Sequence, residues 1–212
     1  MNLTRRRLLQ NTTSAAVTLA AFGMFSSAAL GASTDKFFEK TLLPEIYKGD
    51  DKASVTLTEY ASMTCPHCKS FHEQVMPEIQ KRYIDTGKAR YTLREFAFDP
   101  RASAAFMLAR CSPKQNYYAM IDLLFASQEV WARSKTPAKT LLDLSKRGGF
   151  TEETFNACLT NRDLLGQLND VKTRGEKEFG VRAVPTLFIN GVQFKENLTI
   201  ENVSKAIDEA LA

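Results

Sequence analysis

A strand-forming run, Ser54-Val55-Thr56-Leu57-Thr58-Glu59-Tyr60, stands five residues ahead of Cys65-Pro66-His67-Cys68, and a helical pattern begins directly after the second cysteine. The run is rich in β-branched and aromatic residues, which favour extended backbone. Beyond the cysteines, Phe71, Val75 and Ile79 recur every four residues, while Lys69, Glu73 and Lys81 take polar positions, the spacing of an amphipathic helix. Pro77 inside that helix predicts a kink, because proline lacks the amide hydrogen and crowds the preceding turn. A second strand is expected over Lys88–Phe96. A parallel crossover through the helix would set Cys65 at the carboxyl end of a strand and in the first turn of a helix. Open α/β sheets hold their sites there.

From about residue 101 to 178 the pattern changes to short helical segments, punctuated by Ser112-Pro113, Thr136-Pro137 and Gly148-Gly149. Strand signal returns at Val184-Pro185-Thr186-Leu187-Phe188-Ile189. Asn190-Gly191 then separates it from Val192-Gln193-Phe194, and both residues tolerate the positive φ of a type I′ hairpin turn. An amphipathic helix over Ile200–Leu211 closes the chain. The order predicts an α/β fold, a sheet core interrupted by an all-helical insertion. Its expected organisation is a sheet domain made of residues 51–98 and 179–212, an insertion over 99–178, and an N-terminal linker over 32–50.

Residues 1–31 have the layout of an export signal: Arg5-Arg6-Arg7, a mildly apolar stretch, and small residues around Ala29-Leu30-Gly31 suited to cleavage. Ser14, Thr18, Gly23 and Ser26-Ser27 interrupt the apolar stretch, which disfavours a permanent membrane anchor. Both a twin-arginine route and the general secretory route fit this layout. The segment carries three arginines and no acidic residue, so without it the formal charge of +4 falls to +1. The basic balance therefore gives no support to nucleic-acid binding. An exported destination such as the periplasm is one where disulfides persist, and the chain holds four cysteines.

Four chemistries could use CPHC. A structural zinc site needs four ligands, and Cys111, Cys158 and His72 form no second paired motif, so no metal is expected. Covalent haem attachment needs a histidine directly after the second cysteine, where this chain has Lys69. A cross-link spanning two residues removes little entropy from the unfolded chain and would stabilise little. At a helix start, however, unpaired backbone N–H groups and the positive end of the dipole favour a thiolate on Cys65, and His67 adds positive charge. Stabilising the reduced form makes such a pair an oxidant.

CPHC, Glu59 six residues before it, Val184-Pro185, Phe188-Ile189-Asn190-Gly191 and the intervening helical block together resemble the DsbA family of bacterial periplasmic thiol:disulfide oxidoreductases. These are thioredoxin-fold proteins with a helical insertion, and the resemblance covers roughly residues 50–212. It implies that Cys65 forms the mixed disulfide with a substrate, that Cys68 resolves it, and that Pro66 and His67 tune the thiolate. Val184 and Pro185 match a substrate-binding cis-proline loop, and Glu59 matches a buried acid suited to proton transfer with Cys68. The plainer reading of Glu59 is a strand-end carboxylate in an ion pair. His72 is expected on the solvated face of its helix, and Trp131 in the core.

Cys111 and Cys158 could form a structural disulfide, whose closed loop would contribute roughly 4 kcal/mol by loop entropy, or remain as two buried thiols. The resemblance further implies donation of the Cys65–Cys68 disulfide to unfolded or partly folded exported proteins. Reoxidation would come from a quinone-linked membrane partner, with no cofactor beyond the redox-active disulfide and a monomeric state. An isomerase or reductase of the same fold, and a periplasmic chaperone-like binding module, are the alternatives. Valine rather than threonine before Pro185 resembles the oxidase branch.

Overall fold

The computed structural model describes residues 36–39 and 43–212. The export signal expected over 1–31 lies outside the described residues. Five strands form one sheet: β1 (Tyr47–Lys48), β2 (Val55–Ala61), β3 (Ala89–Glu95), β4 (Thr186–Ile189) and β5 (Val192–Gln193). Their spatial order is β1-β3-β2-β4-β5. β2 and β3 run parallel, with Val55 opposite Ala89 and Ala61 opposite Glu95. All other pairings are antiparallel. Every residue of β2 is buried, including Thr56, Thr58 and Glu59. The strand at the centre of the sheet is covered on both faces, so its polar side chains must find partners inside the protein.

The crossover from β2 to β3 passes through α1 (Pro66–Gln74), the short α2 (Met76–Ile79) and a π-helical turn at Gln80–Ile84. The expected kink appears as a break at Val75, whose φ of −106° leaves the ideal helix, with Pro77 in the first turn of α2. There proline's missing N–H costs nothing. The π turn leaves no trace in the apolar spacing, which continues through Ile79 and Tyr83.

Between the two halves of the sheet the chain forms α3 (Pro100–Cys111), α4 (Tyr117–Ala126), α5 (Gln128–Ala132), α6 (Pro137–Ser145), α7 (Glu152–Leu159) and α8 (Arg162–Glu178). Asp99 starts α3, its carboxylate accepting from the backbone N–H groups of Arg101 and Ala102. Cys111, at the end of α3, is disulfide-bonded to Cys158 in α7, with Cα atoms 6.1 Å apart. Trp131 is fully buried and donates its indole N–H to the Leu124 carbonyl at 2.7 Å. The β4–β5 turn holds Asn190 at φ 49° and Gly191 at φ 79°. Asn190 also pairs its backbone N–H and side-chain oxygen with Thr56, which ties the hairpin to the central strand. The last helix, α9 (Ile200–Leu211), buries Val203 and Ile207.

The linker expected over 32–50 needs correction. Tyr47 and Lys48 form the edge strand β1 on β3, and Phe37 is 1% exposed, packed on Phe179 and Phe188. The buried Arg94 guanidinium fixes this segment, donating to the Phe37 carbonyl at 2.8 Å and to Glu45 at 2.7 Å and stacking over the Phe37 ring. A two-residue strand has no alternation to read, and its partners Thr92 and Tyr91 lie far along the chain.

Candidate active site

Cys65 is the N-cap of α1, with extended backbone at φ −81° and ψ 120°, and Pro66 opens the first turn. That geometry points the unpaired N–H groups of the turn toward the Cys65 sulfur. The thiol is half-buried, Pro66 and His67 are exposed, and Cys68, one turn further, is fully buried. The two thiols are unbonded in this structure. The sulfurs titrate in opposite directions. A hydrogen bond from the Cys68 thiol is the main cause that brings the Cys65 pKa down to about 6; partial burial opposes it, and the N–H groups of Cys68 and His67 and the His67 charge add to it. Burial above all pushes the Cys68 thiol far up, helped by its hydrogen bond to Cys65 and by the charge of Glu59. The Ser62 N–H, 3.5 Å from the Cys68 sulfur, only partly offsets this.

The loop ahead of β4 completes the face around Cys65. The Val184–Pro185 peptide bond is cis, and the Val184 carbonyl lies 3.6 Å from the Cys65 sulfur, where it accepts from the thiol. β4 begins after this loop, at Thr186, so Val184 and Pro185 belong to the connection and not to the strand.

Beneath the cysteines lies a buried polar cluster. Glu59 is completely inaccessible; its Oε2 accepts from the Tyr91 hydroxyl at 2.6 Å and lies 3.0 Å from Nε2 of His72. Its other oxygen has no hydrogen-bond partner among the described residues. His72 is therefore not on a solvated face: its side chain is 7% exposed, and its ring packs on Phe125 with centroids 4.4 Å apart. Four residues after Cys68, it sits on the same side of α1, and α4 covers that side. Nothing in the local pattern around His72 reveals the covering helix.

The helical insertion also reaches the site. Gln128, at the start of α5, is buried and donates its amide to both the Met63 carbonyl (2.8 Å) and the Cys65 carbonyl (3.0 Å). Thr64 donates to the second oxygen of Asp99 at 2.6 Å, so the residue that caps α3 also holds the residue before Cys65. Asp99-Pro100 is a helix-start signature available from sequence. Gln128, more than 60 positions from its partners, carries no such signal. A cleft of about 630 Å³ opens beside Pro66, walled by Thr64, Asp99, Arg101, Gln128 and Arg133. Among the described residues, no three His, Cys, Asp or Glu side chains gather as metal ligands.

Residues 41–209 match the family model described as thioredoxin. A protein of Rickettsia prowazekii that carries the provisional name protein-disulfide oxidoreductase is 36% identical over 77% of this chain; the match spans 60% of that relative's length. The crystal structure of Wolbachia pipientis alpha-DsbA1 superposes with a TM-score of 0.76 at 28% identity, covering 84% of this chain and 96% of that one. The oxidised form of BdbD from Bacillus subtilis shares the fold, with a TM-score of 0.71 at 23% identity over 79% of this chain and 92% of that one. A parallel β2–β3 pair carrying CPHC at the head of its crossover helix, closed by an antiparallel hairpin and interrupted by a helical insertion, thus has its counterpart along nearly the whole of a solved relative. The chain belongs to the DsbA family of thioredoxin-fold proteins.

Proposed function

We propose that this protein is a thiol:disulfide oxidoreductase that donates the Cys65–Cys68 disulfide to exported proteins containing cysteines. The observation that carries the reading is the asymmetry of the two sulfurs: Cys65 half-exposed with its pKa lowered to about 6, Cys68 buried with its thiol pushed up. In the oxidised protein a substrate thiolate attacks the Cys65 sulfur, the Cys65–Cys68 bond breaks, and Cys68 leaves and takes up a proton. A second substrate thiolate then attacks the substrate sulfur of the mixed disulfide, and Cys65 departs as a stable thiolate. The substrate is oxidised by two electrons and the pair is reduced by two. The half-exposed sulfur beside the Val184 carbonyl suits contact with the extended backbone of a client, so Val184 and Pro185 are assigned to substrate binding. Location in the periplasm, reoxidation by a quinone-linked membrane protein and action as a monomer belong to the same reading. Among the described residues no helix is long and apolar enough to cross a membrane.

The test is the redox equilibrium of the protein with glutathione, combined with thiolate absorbance against pH, on a Cys111→Ser/Cys158→Ser background that leaves CPHC as the only pair. A Cys65 midpoint near pH 6 and a potential well above that of a thioredoxin-like reductant are expected. An ordinary thiol pKa with a low potential would move the assignment to a reductase or isomerase.

A further inference from the structure

Cys68 must gain a proton each time the disulfide is spent and lose it each time the disulfide is restored, yet its side chain has no contact with water. Glu59 lies close enough for its charge to act on the Cys68 thiol, and it is just as completely sealed. Its unpartnered Oε1 is the oxygen free to serve Cys68, while Oε2 is committed to Tyr91 and His72. His72 and Tyr91 are the members of this cluster that also reach outward, lining a surface cavity of about 250 Å³.

We propose that His72 is the port through which Glu59 exchanges the proton of Cys68 with water in this cavity. The inference rests on the thiol-exchange reading of CPHC. When a substrate thiolate breaks the Cys65–Cys68 bond, the departing Cys68 thiolate takes a proton from the Glu59 carboxyl. Glu59 is reprotonated at its other oxygen by the imidazolium of His72, and His72 recovers its proton from water. Reoxidation runs the same chain backwards. A carboxyl group can take a proton on one oxygen and release it from the other, and an imidazole does the same with its two nitrogens. Both members of the chain are therefore conductors.

The neighbouring groups do not substitute for the ring. From β3, the Tyr91 hydroxyl donates to Glu59 and lies 3.2 Å from the His72 nitrogen, but burial holds its phenol well above the ordinary range, so it stays protonated. Lys48 from β1, Asp122 from α4 and Asp85 after the π turn stand at the cavity wall. Lys48 and Asp122 pair with each other at 3.9 Å, and Lys48 also donates to Gln80. They shape the field at the cavity, but among the described residues only His72 and Tyr91 link it to Glu59.

His72→Gln keeps an amide able to hydrogen-bond Glu59 but removes the exchangeable charge. Stopped-flow oxidation of a dithiol peptide by the oxidised full protein, followed across the acidic to neutral range, is expected to slow by about tenfold to a hundredfold, the scale of one acid–base group, with the His72-dependent limb of the pH profile gone. In His72→Ala, added imidazole should enter the cavity and restore a large part of the rate. A His72→Gln protein as fast as the unaltered one at every pH would overturn the proposal. So would a slow variant with an unchanged pH profile and no rescue, which would mark a packing role only. Should both variants fail to fold, the ring-nitrogen chemical shifts of His72 in the unaltered protein decide: identical titration in the dithiol and disulfide states would sink the relay, and a redox-linked change would sustain it. Failure of the unaltered protein to exchange with glutathione would instead remove the function on which the inference stands.

Discussion

Cys65 and Cys68 are one helical turn apart and share a hydrogen bond, and that bond has opposite consequences at its two ends. It lowers the pKa of the sulfur that accepts and raises that of the sulfur that donates. The Cys68 thiol is the largest single cause on Cys65, and the charge of His67 is the smallest of those named. Cys68→Ala should therefore raise the pH midpoint of Cys65 thiolate absorbance more than His67→Leu does, with Cys68→Ser, which keeps a donor, between them. An equal or larger effect of His67→Leu would show that the imidazole charge dominates. A thiolate less favoured at neutral pH is also a poorer leaving group, so in His67→Leu, which keeps both cysteines, the rise should be matched by a less oxidising pair in the glutathione equilibrium. At this scale the motif was legible, because CPHC, Glu59 and Val184-Pro185 declare themselves as residue types in a pattern. His72 was not. Its role depends on Phe125 and Tyr91 closing over it, and a lone polar residue on a helix gives no sign of what packs above it.

Among the elements, the start of α3 has two tasks. One oxygen of Asp99 satisfies the first N–H groups of the helix, and the other receives the Thr64 hydroxyl. Asp99→Ala should cost about 1–2 kcal/mol in denaturant unfolding, the range for loss of an N-cap, and should also slow thiol exchange because Thr64 is released. Thr64→Val should spare the cap and reproduce the kinetic effect with a smaller loss of stability. Equal stability losses in the two variants would mean that the cap itself contributes little. Most elements could be read from apolar spacing: β2, β3, the helix after Cys68, the helical block and the Asn190-Gly191 hairpin all have local signatures. β1 and the π turn at Gln80–Ile84 do not. The first is two residues long and exists because β3 offers an edge and Arg94 draws in the segment before it. The second inserts an extra residue into a helix without disturbing which positions are apolar.

Across the whole molecule, the Cys111–Cys158 bond joins α3 to α7 inside the insertion. Replacing both cysteines with serine should lower unfolding stability by about 3–4 kcal/mol, as expected for closing a loop of this length. The Cys65 titration and the glutathione equilibrium should stay where they were. A shift in either would mean that the insertion transmits strain to the site through Gln128 or Asp99. The sheet has a different kind of boundary. It ends on both sides in strands of two residues, β1 and β5. Long free edges recruit other extended chains by backbone pairing, and proteins commonly blunt them by keeping the outermost strand short. Under the proposed function the protein would meet such chains constantly. Its abbreviated margins would leave them little to zip onto, so a client would be captured by its sulfur and let go when the sulfur chemistry is done.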